Sequence, residues 1–310
     1  METVRILSGP TACGKSAVGL YLAKKLGADI LSYDSMKLYR GLDIGTAKPD
    51  AQTRAATRHH LVDILEPWES YSVAQFMSDA EATIRQCVKE KRPLIGEGGT
   101  SLYVKSMSEG LLEAPGADEA LRVKLEAEAE QIGVPKLHER LATIDPVAAK
   151  KIMPTDLRRT VRALEVHALT GKPISTLQSQ WGVPRVDMDV RVAFLRMPRD
   201  ILYARIDHRI DAMLAAGWLD ECRRLMALPQ GLSREALQAL GYRTLFAHLR
   251  GEMELKAARD RICFDTHHFA RRQLNWSRRI PKLVYIDITG DEPVEALAER
   301  VLGAWDAVPA

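Results

Sequence analysis

Apolar residues in the first third of the chain alternate between short continuous runs and helical stripes. Val4-Arg5-Ile6-Leu7 is too short for a helix and reads as a buried strand. Residues 16–26 put Val18, Leu22 and Leu26 on one helical face, and Gly27 stops the helix. Residues 28–32 read as a second strand running into Tyr33-Asp34-Ser35. Residues 73–91 carry Phe76, Met77, Ala80, Ile84 and Val88 on one face of a helix, and Pro93-Leu94-Ile95 opens a third strand that ends in Gly96-Glu97-Gly98-Gly99-Thr100. Strand, loop, helix, strand, helix, strand is the order of a parallel α/β sheet. Ligands of such sheets sit beyond the carboxyl ends of the strands. The loop after Gly9, the turn at Asp34 and the turn at Gly98–Thr100 are therefore expected to line one crevice.

The texture changes near Ala114-Pro115-Gly116. From there to about Pro184 the chain is helical and charged, without strand character. Strand patterning returns at residues 190–195, an amphipathic helix is expected over 199–227, and residues 282–288 read as a last strand. The expected fold is α/β, with a P-loop parallel sheet core built from 1–113 and 186–310 and an inserted helical domain over 114–185.

Composition narrows the class. With 46% apolar and 27% charged residues among 310, a folded globular chain is the default. No apolar run approaches the roughly 18 residues of a membrane span, and there is no secretory leader pattern. The cysteines, Cys13, Cys87, Cys222 and Cys263, are widely separated, which gives neither a zinc spacing nor a disulfide framework. These features lead to the expectation of a reduced, soluble, cytoplasmic protein. Net charge is only +3, so any affinity for polyanions must come from local clustering.

Candidate chemistry begins at Gly9-Pro10-Thr11-Ala12-Cys13-Gly14-Lys15-Ser16, a G-x-x-x-x-G-K-[ST] loop between a strand and a helix. Its backbone N–H groups suit phosphate, Lys15 neutralises charge, and Ser16 suits Mg²⁺. Asp34 suits a turn cap as well as it suits the chemical roles of Mg²⁺ ligand and general base together. His59-His60 has no metal spacing with an acid and reads as a turn beside the sheet, and Glu97 reads as a solvent-exposed turn residue or a strand-end acid near Mg²⁺. Arg205 and Arg209 lie one turn apart, and spacing does not decide which of them faces the crevice. Residues 256–282 hold eight Lys/Arg against two Asp, a net +6, with His267, His268, Phe269 and Trp276 interleaved. Cations between rings suit RNA with exposed bases. A kinase and a transferase with a phosphate leaving group, each acting on nucleic acid, both fit.

Taken in order, Gly9 to Ser16, the run Asp34-Ser-Met-Lys-Leu-Tyr-Arg-Gly-Leu-Asp-Ile-Gly-Thr-Ala-Lys-Pro49, His59-His60-Leu-Val-Asp, Gly98-Gly-Thr-Ser-Leu-Tyr103, Leu240-Gly-Tyr-Arg243 and Arg271-Arg272-Gln273-Leu274-Asn275-Trp276 closely resemble the tRNA dimethylallyltransferases, also called tRNA isopentenyltransferases. The likeness runs from about residue 3 to 288, and length and the lack of a zinc finger resemble the bacterial members. It implies transfer of a dimethylallyl group from dimethylallyl diphosphate to N6 of adenine 37 in the anticodon loop of tRNA. Prenylation of free adenine nucleotides and a P-loop kinase are the alternatives. The resemblance implies that Gly9, Pro10, Thr11, Ala12, Cys13, Gly14, Lys15, Ser16 and Arg209 hold the diphosphate, through the N–H groups of 11–16 and Mg²⁺ on Ser16. It implies that Asp34 is the base, with Thr100 placing the adenine and Lys15 serving catalysis. It assigns tRNA contacts to Asp34, Ser35, Met36, Lys37, Thr100, to Arg158, Arg159, Thr160, Val161, Arg162, and to Arg271, Arg272, Gln273, Trp276, Arg278 and Arg279, with the helical insertion on the anticodon stem and the protein acting as a monomer. Cys13 and Glu97 depart from the family, which has Ser or Ala and an aliphatic residue there.

Overall fold

The computed structural model describes residues 2–111, 114–178 and 183–307. The expected boundary at 113 and residues 179–182 of the expected insertion lie outside the described residues. Six strands form one parallel sheet: β1 (Glu2–Ser8), β2 (Asp29–Ser32), β3 (His59–His60), β4 (Leu94–Glu97), β5 (Met188–Arg196) and β6 (Leu283–Asp287), in the order β3-β2-β4-β1-β5-β6. The helices in chain order are α1 (Lys15–Leu26), α2 (Ala51–Ala56), α3 (Val73–Lys89), α4 (Ser101–Glu109), α5 (Glu119–Ile132), α6 (Val134–Ile144), α7 (Pro146–Lys151), α8 (Leu157–Thr170), α9 (Ile174–Leu177), α10 (Arg199–Ala215), α11 (Trp218–Met226), α12 (Tyr242–Leu249), α13 (Leu255–Ser277) and α14 (Val294–Asp306). The central strand β1 is buried between β4 and β5. That is why its run is apolar rather than alternating.

The chain divides into two compact units, Met1–Ser108 with Pro184–Ala310, and Glu109–Val183. The first holds the sheet. Its core includes Ile6, Leu7 and Leu22, and α14 packs on it with the indole Nε1 of Trp305 donating to Ile6 O at 3.1 Å. In the second unit Leu137, Leu141, Val161 and Leu164 are buried together. The Glu165 carboxylate there is fully buried and accepts from Asp118 N, Arg122 and Arg162. Burial opposes its charge, but Arg122 and Arg162 hold its carboxyl below the usual range.

Several expectations need correction. The stretch over 199–227 is two helices, because Gly217 takes a left-handed conformation (φ 96°) and restarts the chain at Trp218. Leu26 and Val88 are exposed rather than buried, and Cys87 takes the place on the apolar face of α3 expected for Val88. His59 and His60 form the edge strand β3 rather than a turn. There His60 Nε2 stands 2.8 Å from Asp29 Oδ2, and the ligand atoms of Asp29, His60 and Cys87 lie within 4.8 Å of one another. Arg92, 3.5 Å from Asp29 Oδ1, already supplies a positive charge to this group. Among the described residues, no helix is long and apolar enough to cross a membrane.

Candidate active site

Beyond the carboxyl ends of β1, β2 and β4 the chain makes three turns, and side-chain bonds tie them together. The first is the loop from Gly9 to Gly14. Gly14 is left-handed (φ 95°), and α1 begins at Lys15, so the helix start turns its N-terminal N–H groups toward the loop. Lys15 Nζ donates to Pro10 O at 3.3 Å. Arg205 Nε donates to Ala12 O at 3.1 Å and its NH1 to Gly290 O at 3.0 Å, so α10 braces the loop from outside. Thr11 N–H is given to Gln273 Oε1 at 2.9 Å, which corrects the expectation that every N–H from 11 to 16 is available to phosphate. Cys13 is buried, and burial pushes its thiol up, which leaves it a packing residue.

The second turn carries Asp34. Its Oδ1 accepts Met36 N–H at 2.9 Å, so the capping role read from sequence is real. Thr100 Oγ1 accepts Ser35 N–H at 3.0 Å and donates to Ser35 Oγ at 3.3 Å, and Thr100 N–H reaches Tyr33 O at 3.0 Å. The third turn, Gly98–Thr100, thereby fixes the second. Gly98 has to be glycine here, because a Cβ would stand 2.4 Å from the carbonyl carbon of Tyr33.

Glu97 sits between these turns. It is 4% exposed, which overturns its reading as a solvent-exposed residue. It accepts from Ser16 Oγ at 2.9 Å and from Lys37 Nζ at 3.3 Å. Burial raises its pKa, yet Lys37 and Lys15 and the bond from Ser16 carry it below the ordinary carboxylate value. The glycine at position 19 leaves room for it, since a Cβ there would stand 3.1 Å from Glu97 Cγ.

Between the loop and α10 lies a cavity of about 690 Å³ lined by Gly14, Lys15, Ser16, Arg205, His208 and Arg209 among others. Burial lowers the pKa of the Arg209 guanidinium, and Asp34 is the first of the charges that draw it back up. Asp34 thus shares an electrostatic neighbourhood with Arg209. The run 34–49 is held from below by Glu221. Its buried carboxylate accepts N–H groups of Asp43 at 3.0 Å, Ile44 at 2.8 Å and Gly45 at 3.3 Å, and the Tyr242 hydroxyl at 2.6 Å. That network accounts for Tyr242 in the motif Leu240–Arg243.

The structure separates the expected RNA contacts. Arg271, Arg272, Arg278 and Arg279 are exposed on and just after α13, Trp276 is half-buried, and Arg271 meets His268 Nδ1 at 2.8 Å. Arg158 and Arg159 are exposed on α8. Lys37, Thr160, Val161 and Gln273 are buried, and Arg162 bonds Glu165 at 2.6 Å and Pro115 O at 2.8 Å. Four of these five are buried and Arg162 is partly exposed, so none of them stands on the surface as openly as the arginines of α13. No motif in the sequence marks His208 or Glu221, whereas Arg205 and Glu97, each open to two readings there, both stand at the site.

Fold and site together define an α/β protein with a phosphate-loop motif, whose adjoining cavity is lined by Lys15, Arg205 and Arg209, with the carboxylates of Glu97 and Asp34 close by. The family model "IPP transferase" matches residues 37–280. A tRNA dimethylallyltransferase of Xanthomonas axonopodis pv. citri is 47% identical over 277 residues, covering 87% of this chain and 85% of that protein. One from Anaeromyxobacter dehalogenans is 45% identical over 297 residues, 96% of each chain. The tRNA isopentenylpyrophosphate transferase of Bacillus halodurans superposes with a TM-score of 0.71 at 35% identity, over 99% of this chain and 97% of that one. A eukaryotic dimethylallyltransferase acting on tRNA shares the fold, with a TM-score of 0.78 at 24% identity over 99% of this chain and 76% of that one. The chain belongs to the IPP transferase family.

Proposed function

We propose that this protein transfers a dimethylallyl group from dimethylallyl diphosphate to N6 of adenine 37 in a tRNA anticodon loop. The single observation that carries this reading is that Asp34 lies near enough to act on the charge of Arg209, which lines the cavity at the phosphate-loop motif, so that a proton acceptor stands near a candidate anion cradle. The allylic C–O bond breaks with its electron pair leaving on diphosphate, the N6 lone pair forms the new C–N bond, and the N6 proton passes to Asp34. Lys15, Arg209 and the N–H groups at the start of α1 meet the charge that develops on diphosphate. The Ser16 hydroxyl and Glu97 carboxylate are adjacent hard oxygen donors of the kind Mg²⁺ prefers. An Mg²⁺ held by these two residues would neutralise phosphate charge. Thr100 acts by holding the Asp34 turn. The adenine must leave its stack to reach this depth, and the exposed arginines of α13 suit the RNA backbone around it. A monomer in the cytoplasm suffices for this reaction.

The test is label transfer from dimethylallyl diphosphate with Mg²⁺, offering an unmodified anticodon stem-loop and AMP as parallel acceptors. Label in the stem-loop alone is expected. Label in AMP would move the activity to free nucleotides. Label in neither, with phosphate transfer from ATP, would make the protein a kinase.

A further inference from the structure

One buried polar side chain takes no part in the chemistry above and touches both halves of it. Gln273 lies on α13 beside the exposed Arg271 and Arg272, yet it is only 4% exposed. Its Oε1 accepts Thr11 N–H at 2.9 Å, at the mouth of the phosphate loop. Its Nε2 donates to Gly99 O at 2.8 Å, next to Thr100. The fit is close, because a Cβ on Gly99 would stand 2.4 Å from that Nε2. Only a side chain that accepts at one end and donates at the other, at this length, can satisfy both loops. An ionised Glu accepts but cannot donate, and Met fills a similar space with neither ability.

We propose that Gln273 is a positioning residue for the transfer, holding the diphosphate loop and the turn that carries Thr100 in one register. The helix that offers arginines on its outer side thereby fixes, from its inner side, where the leaving group and the acceptor base meet. This rests on the transferase reading above. Without the amide, Gly99 O and Thr11 N–H lose their partners in a buried place, and the two loops lose their common reference. The expected consequence is a loss on the order of ten- to a hundred-fold in what the loop binds and in turnover.

The experiment compares Gln273→Met and Gln273→Glu with wild type, with near-UV circular dichroism confirming the fold. Affinity for inorganic pyrophosphate, measured by calorimetry, reads the loop without requiring any prenyl transfer. Gln273→Met should weaken pyrophosphate binding and lower kcat by the factor above, while KM for the stem-loop stays within about twofold of wild type. Gln273→Glu should resemble Gln273→Met at about pH 8 and recover as pH falls, because the protonated carboxyl again both accepts and donates. Lys15, whose Cε would lie 3.6 Å from a Cβ on Gly99, is a charged side chain at this junction and will push that recovery to lower pH. Wild-type pyrophosphate affinity and kcat in Gln273→Met would overturn the proposal, as would a pH-independent Gln273→Glu. A loss confined to KM for the stem-loop would make Gln273 an RNA contact instead. If wild type binds pyrophosphate but transfers no prenyl group, the transferase reading fails while the pyrophosphate comparison still decides the role of Gln273. If wild type binds no pyrophosphate, both fail.

Discussion

Glu97 and Lys37 form a buried ion pair, and breaking it from one side is predicted to cost far more than removing it whole. Their side chains are 6% and 8% exposed, with Nζ and Oε2 3.3 Å apart. At that separation and an effective dielectric constant of about 20, the attraction is about 5 kcal/mol. Removing two ions from water costs several kcal/mol each, so the intact pair contributes little net stability. Glu97→Gln leaves Lys37 charged and buried without its partner, and Lys37→Met leaves the buried Glu97 with only the Ser16 bond and the charge of Lys15. Each should lower the free energy of unfolding by about 3–5 kcal/mol. The double variant Glu97→Gln with Lys37→Met should lose about 1 kcal/mol or less, leaving a coupling energy of several kcal/mol. Guanidinium denaturation of all four proteins, followed by tryptophan fluorescence, measures the cycle. Single variants that each lose less than about 1 kcal/mol and add in the double would refute the pairing.

The same carboxylate sets a pH dependence. The pKa of Glu97 is lowered in the folded protein, so its contribution is fully present above the ordinary value of 4.5 and is lost as pH falls through the lower folded value. Between pH 5 and lower values wild type should therefore lose stability more steeply than the double variant, and parallel curves would contradict this. Asp34→Asn should reduce turnover by about 10²–10⁴-fold with stem-loop affinity nearly unchanged. Weakened affinity with normal turnover, measured by single-turnover kinetics beside equilibrium binding, would remove Asp34 as the base. Arg271→Ala should weaken stem-loop binding and reduce the slope of log K against log salt by about one, and an unchanged slope would exclude a phosphate contact there.

How far the sequence discloses this molecule follows from the range of the interactions. Strands β1, β2 and β4 each centre on a short apolar stretch, and the phosphate-loop motif sits between a strand and a helix, so local pattern suffices for them. Strand β3 is two residues long and exists because Ile30 and Leu31 pair with it, a fact no local window contains. Helix α14 carries Leu297, Val301 and Trp305 at helical spacing, so its signal is present in the local pattern. The break at Gly217 was also readable, as a glycine inside a long amphipathic stripe. In the site, Asp34, Lys15 and Arg209 are marked by motif. Gln273 lies in a motif, but its inward role is not legible there, and neither are the roles of Glu97 and Glu221, since they act on partners 262, 81 and 178 positions away at Thr11, Ser16 and Asp43. Gln273 stands among arginines and reads as surface until the fold turns it inward. Lys37 is a charged residue in a loop and reads the same way until Glu97 is seen beneath it.

The central claim, prenyl transfer to a tRNA adenine in this crevice, is tested most directly by mass spectrometry of nucleosides from an anticodon stem-loop incubated with the protein, Mg²⁺ and dimethylallyl diphosphate. One dimethylallyl group on N6 of adenine 37 with wild type, formed at least about a hundred-fold more slowly with Asp34→Asn, is the predicted result. Equal rates of modification with both proteins, or no modification with wild type, would contradict the account.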